Sequence, residues 1–203
     1  MTMLIIFSLI IILFSAIIHE YMHGWTADRL GDHTAKDAGR LTINPISHID
    51  PMGSIVIPAL IYLSTAGSFI FGYAKPVPFN PYNLRDQKYG AAKIAIAGPL
   101  ANLAMAIAFG FILRFVPIAN GTLVMLLASV VQINLILMVF NLVPIPPLDG
   151  SKVIMPFLPS RIQAKYEELE KYGFVLVLLF LLVGFSLIIP IVGFIFSLIV
   201  GGF

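Results

Sequence analysis

The chain has 203 residues, of which 59% are hydrophobic and only 11% charged. Soluble domains carry about 25% charged residues, so an ordinary soluble protein is excluded. A net charge of +2 without a long basic run excludes a nucleic-acid-binding arm, and the lack of cysteine excludes disulfides, thiolate metal sites and cysteine nucleophiles.

Five apolar stretches follow one another at about 3–24, 53–72, 89–116, 121–143 and 172–200. Each is long enough to cross a bilayer, which takes about 20 residues. The first lacks the basic start and the small-residue cleavage site of a signal peptide, so it reads as a retained transmembrane helix. The second carries Pro58, Gly67, Ser68 and Gly72, which suit an interrupted, re-entrant segment. Such backbone is tolerated at membrane depth only against protein or water. If that segment crosses, Lys75, Arg85 and Lys88 fall opposite Arg29, Lys36 and Arg40. If it dips and returns, every Lys and Arg except Arg114 lies on one side, as the positive-inside tendency favours.

The working topology places both termini outside and the charged loops in the cytoplasm. Residues 161–171 carry Lys and Glu at helical spacing and read as a solvated cytoplasmic helix. Residues 174–203 contain Pro190, which leaves open one kinked helix or two shorter pieces. The expected fold is an all-α polytopic membrane protein. It has about four transmembrane helices, a re-entrant segment and a small β element at the membrane face. A single domain, 1–203, is expected, with a catalytic core over about 1–150 and a C-terminal transmembrane segment over about 172–200.

The first helix ends in His19-Glu20-Tyr21-Met22-His23. Two histidines at i and i+4 share one helical face, so both imidazoles reach one metal ion. The adjacent Glu20 is placed to accept a proton from a metal-bound water, which is the zinc metalloprotease pattern. Histidines merely snorkelling at a helix end have no reason to take this spacing. From Leu4 to Gly24 a helix covers about 30 Å, the thickness of the hydrocarbon core. His19 therefore lies shallowly inside the membrane, and water reaches it from the cytoplasmic side.

Catalytic zinc takes three protein ligands and a water. Asp28, Asp32, His33 and Asp37 lie in a polar loop and read as solvated surface. Two segments remain as sources of the third ligand. Residues 44–53 offer His48 and Asp50 in a proline-bounded turn, where either is a ligand or a cap on the next helix. Residues 141–150 offer Asp149 after three prolines that end a transmembrane helix, followed by Gly150. Asp149 is the better source, because its depth matches that of His19 and His23.

Four motifs together resemble the site-2 protease family of intramembrane zinc metalloproteases. They are His19 to His23 with Ala27 four residues on, Asn44-Pro45 through His48, Asp50, Pro51 and Gly53, Gly98-Pro99-Leu100-Ala101-Asn102, and Asn141 through Pro144, Pro147, Leu148, Asp149 and Gly150. They stand in the family's order and span about residues 16–150. The resemblance implies one Zn2+ per chain on His19, His23 and Asp149, with Glu20 as general base. It also implies that Asn102 and Asn141 are catalytic polar groups near the scissile carbonyl, and that His48 and Asp50 serve structure or support the ligands. The family core is a three-helix unit, here the first, third and fourth apolar stretches, in a compact subgroup without PDZ or CBS domains.

The reaction so implied is hydrolysis of a peptide bond in or near a transmembrane segment of a single-pass membrane protein. A helical substrate has its carbonyls hydrogen-bonded and must unwind first. The re-entrant stretch and a strand-like segment at 73–78 offer an edge for the unwound chain. Two other classes use the same residues. A transporter or metal carrier is disfavoured by the lack of an inverted repeat, and a non-catalytic scaffold by the presence of Glu20. The implied partners are the substrate and the lipid bilayer, with no nucleic acid, and oligomeric state has no signature in the sequence. The implied location is a bacterial plasma membrane, with the active site toward the cytoplasm.

Overall fold

A computed structural model describes residues 2–64 and 75–201. The chain begins with helix α1 (Thr2–Arg29), followed by the short α2 (Thr34–Asp37) and a 3-10 turn, Pro45–His48. A π-helical turn, Pro51–Val56, runs into α3 (Ile57–Ser64). After a further 3-10 turn at Pro81–Asn83 come α4 (Gly90–Phe115) and α5 (Gly121–Asn141). The short helices α6 (Asp149–Ile154) and α7 (Ser160–Glu170) precede α8 (Gly173–Leu179), a π turn at Phe180–Gly184, and α9 (Phe185–Val200).

Among the described residues four helices are long and apolar enough to span a membrane: Leu4–Arg29, Gly90–Phe115, Gly121–Asn141 and Gly173–Val200. The last is continuous through its π turn and past Pro190, so the C-terminal segment is one interrupted helix rather than two pieces. A π turn and an internal proline are the usual ways a helix absorbs a local misfit. The helical part of the second apolar stretch, 51–64, rises only about 21 Å, and whether 53–72 returns or crosses turns on residues outside those described.

The core lies where α4, α5 and α9 meet, with Ala106, Val131, Leu135, Ile188 and Val192 buried. α4 presents small buried residues, including Ala92, Ala95, Gly98, Ala106 and Gly110, along its length. Small residues let membrane helices approach closely, which is where packing energy comes from when lipid tails are as apolar as leucine. Ile5, Leu9, Leu123, Leu187 and Phe194 are exposed on the outer faces of the membrane-spanning helices, as contact with lipid requires.

Two expectations are corrected. No strand occurs among the described residues, and residues 75–80 form an irregular extended segment. Pro76 and Pro78 carry no N–H, and the N–H groups of Lys75 and Val77 go to the His48 carbonyl and to Glu20, so no ladder forms. Asp32 is not solvated surface: it is fully buried. Its carboxylate accepts bonds from the Thr34 N–H and hydroxyl, the Asn80 N–H (2.6 Å) and the Asn83 side-chain amide (2.9 Å). Burial pushes its carboxyl up, but these donors prevail and hold it below the ordinary carboxylate value.

A Cβ added at Gly110 falls 2.3 Å from Ile199 Cγ2, so α4 and α9 touch without room for a side chain. Gly110→Val is therefore expected to cost about 1–3 kcal/mol through overpacking. Thermal unfolding in detergent should show a midpoint several degrees below wild type.

Candidate metal centre

The site forms where α1, α4 and α6 converge. The i, i+4 spacing on α1 puts His19 and His23 one above the other, with Nε2 atoms 2.9 Å apart. Asp149, the first residue of α6, brings Oδ2 to 3.0 Å from His19 Nε2 and 3.3 Å from His23 Nε2. The three atoms make a nearly equilateral triangle.

The hydrogen bonds behind the rings fix what the triangle is made of. His23 Nδ1 lies 2.7 Å from the Ile94 carbonyl, which only accepts, so Nδ1 carries a proton. His19 Nδ1 lies 2.7 Å from Asn102 Oδ1. The Asn102 amide nitrogen donates to the Ser15 carbonyl and to Asn134 Oδ1, which assigns Oδ1 as acceptor and gives His19 Nδ1 a proton as well. In the neutral rings both Nε2 atoms then present lone pairs, facing each other and a carboxylate oxygen. Three converging lone-pair donors repel one another unless a cation sits among them. Tetrahedral zinc, with bonds of about 2.0–2.1 Å, sets its ligand atoms about 3.3 Å apart. The residues present fit zinc.

Local sequence dictates this convergence. A Cβ at Gly98 falls 2.5 Å from His23 Nε2 and 2.6 Å from His19 Nε2, so both rings lie against bare α4 backbone. A Cβ at Gly150 falls 2.2 Å from the Leu142 carbonyl oxygen, so only glycine lets the chain double back on the end of α5 and deliver Asp149. Glu20 offers a carboxylate oxygen within 4.8 Å of the donor atoms of both histidines. A cavity of about 460 Å³ opens in front of the triangle, bordered by Glu20, Asn141, Leu148, Lys152 and Pro76-Val77.

The other sequence candidates fall elsewhere. His48 is buried, with Nε2 donating to the Thr42 carbonyl at 2.7 Å, and Asp50 accepts from the Gly53 N–H at 2.6 Å to cap the following turn. Asn102 is fully buried behind His19, away from the cavity. Asn141 borders the cavity, with one amide hydrogen bonded to the Leu137 carbonyl. Sequence reasoning missed Asn134 and the Ile94 carbonyl. Asn134, a polar residue within an apolar span, was a readable signal, whereas a backbone carbonyl leaves none.

Residues 116–184 match the model for peptidase family M50. The chain is 37% identical over 181 residues to YwhC of Bacillus subtilis, provisionally named a zinc metalloprotease, covering 85% of this chain and 78% of that protein. It is 31% identical over 171 residues to Rip2 of Mycolicibacterium smegmatis, which bears the same provisional description, covering 84% of this chain. For Rip2 of Mycobacterium tuberculosis strain H37Rv the identity is 30% over 172 residues. The chain spans 64% of the length of both mycobacterial relatives. No solved structure matches it.

Two outcomes follow from the geometry. Gly98→Ala forces both imidazoles off their positions and is expected to abolish metal retention, read as metal per purified chain. Asn102→Ala keeps all three donors but frees the His19 ring, and metal affinity measured by chelator competition should fall about 10–100-fold.

Proposed function

The chain belongs to peptidase family M50, and on that premise we propose that it is an intramembrane zinc metalloprotease. In this reading it cleaves single-pass membrane proteins in or near their transmembrane segments, from the cytoplasmic side of a bacterial plasma membrane. The observation that carries the reading is the triangle of three lone-pair donors with a carboxylate beside it, at the end of a membrane-spanning helix. A buried group of this kind in a membrane is costly without a function.

His19, His23 and Asp149 would hold one zinc ion. Zinc so held supplies a Lewis acid for the scissile carbonyl and lowers the pKa of a bound water toward about 7. Glu20 takes the proton of the attacking water and returns it to the leaving amine, the general base and then the general acid of the cycle. Asn102 acts from behind, setting the tautomer and tilt of His19. Asn141 borders the cavity and retains an amide hydrogen and a carbonyl oxygen for the substrate backbone. A donor there supports the oxyanion as it forms.

A substrate helix offers no free carbonyl until it unwinds, since each carbonyl is bonded within the helix. The cavity lies at the end of α5, where Pro144, Pro146 and Pro147 exclude a continuing helix. Unwound chain is thus met by irregular backbone on that side of the cavity, while α1 and α4 border the other.

Glu20→Gln is the decisive variant. With detergent-purified protein and a panel of single-span substrates, wild type should cleave, and Glu20→Gln should lose at least about 100-fold of that rate. Both should carry one zinc per chain. Cleavage by Glu20→Gln, or absence of zinc from both, overturns the reading.

A further inference from the structure

Glu20 is held from outside its own helix. Its Oε2 accepts a hydrogen bond of 2.8 Å from the Val77 N–H. Val77 stands between Pro76 and Pro78, so that N–H is the sole backbone donor on three consecutive residues. Lys75 and Val77 both precede proline, which confines each to extended backbone. We propose that residues 75–83 are a strap that aims the general base, with the Val77 N–H as the positioning group. The proposal rests on the reading of Glu20 as base.

The strap is tied down along its length. The Lys75 N–H donates to the His48 carbonyl at 3.0 Å, and Arg40 Nη2 donates to the Lys75 carbonyl at 2.9 Å. The Val77 side chain is buried against Gly24 of α1, where an added Cβ would fall 2.8 Å from Val77 Cγ1. The Asn80 N–H and the Asn83 amide end on buried Asp32. Beyond Phe79, whose ring lies 5.7 Å from Lys152 Nζ on α6, the Arg85 N–H reaches the Leu30 carbonyl at 3.0 Å. These ties give a role to Arg40 and Asp32, which the metal triangle leaves unused, and with the His48 carbonyl they converge on residues 75–83.

A glutamate has three rotatable bonds and wanders unless something holds it. The Val77 bond is charge-assisted, the stronger class of hydrogen bond. With Oε2 engaged, Oε1 keeps its lone pairs for the proton. The same two prolines deny the strap donors on the edge facing away from Glu20, because alternate residues of an extended segment point their N–H groups to opposite sides. Over 76–78 the one N–H of the strap is therefore committed to the base, and none is left to donate to a substrate.

The test is steady-state cleavage by the full chain of a single-span substrate, with zinc content measured in parallel. Val77→Pro removes the N–H and should lower kcat about tenfold or more, leaving KM within about threefold and zinc unchanged. Val77→Ala keeps the N–H and should recover kcat to within about threefold of wild type. Asp32→Asn loosens the far anchor and should lower kcat less, and adding it to Val77→Pro should give no further loss, since both act through one element. Wild-type kcat in Val77→Pro overturns the proposal. So does loss of zinc in that variant, or equal damage from Val77→Ala. If Val77→Pro fails to accumulate, Asp32→Asn decides: a lower kcat at unchanged KM and zinc supports the strap, and wild-type kcat overturns it. Glu20→Gln in the same assay separates the two readings, because cleavage by that variant sinks the base itself, whatever the strap does.

Discussion

Two protons placed on the wrong side of two rings organise this molecule. His19 and His23 each donate Nδ1–H away from the cavity, to Asn102 and to the Ile94 carbonyl. That leaves their Nε2 lone pairs pointing at each other and at Asp149. In water such a cluster would relax by turning a ring. Here it cannot turn, because each ring is bonded behind and pressed against α4 at Gly98. A divalent cation held among the three acceptors satisfies all of them at once, and the surrounding helices keep the three atoms together.

The rest of the packing follows from keeping that arrangement rigid. The ring supports come from α4, and α4 is itself located by the Asn102–Asn134 bond to α5 and the Asn102–Ser15 bond to α1. One buried amide thus links three helices. It sits where apolar packing alone gives little register, since lipid and leucine solvate a helix about equally well. The small residues of α4 then serve a second purpose: they bring α1 and α5 close enough for a polar network only a few residues wide to link the three helices.

Much of the centre was legible because metal chemistry needs side chains at fixed spacing. The His19–His23 repeat, the adjacent Glu20 and the carboxylate after a proline-rich stop are all written in residue types. The choice between Asp149 and the pair His48 and Asp50 was left open by the residues alone, since both sources follow prolines near a helix end. It is the fold, through the doubling back permitted at Gly150, that brings Asp149 to the histidines. What stayed hidden was carried by backbone. The Ile94 carbonyl and the Val77 N–H have no signature in a sequence, and their effect appears only when chain segments distant in number are brought together. Asp32 was misread for a related reason. A polar loop residue looks solvated until the loop that covers it, 80–83, is placed, and its three partner residues lie both near and far in the chain.

The division of labour between helix and loop has a physical logic. Ligands of a metal need positions good to a fraction of an ångström, and α1 and α6 hold the three donors of the triangle on regular backbone. A base has a different requirement. It must exchange a proton with water and then with an amine, so one carboxylate oxygen must stay free while the other is fixed. The interior of a helix cannot supply that fixing bond, because its N–H groups are already engaged, and only a first turn has free ones. Here the donor comes from extended chain, whose N–H groups point sideways. An extended chain at membrane depth is tolerable only if its remaining polar groups are satisfied or missing. Two prolines remove the donors that would otherwise be left over, and the one that remains is bonded to Glu20. On the proposed reading of Glu20 as base, the composition of 75–78 follows from what a base requires and from what a membrane forbids.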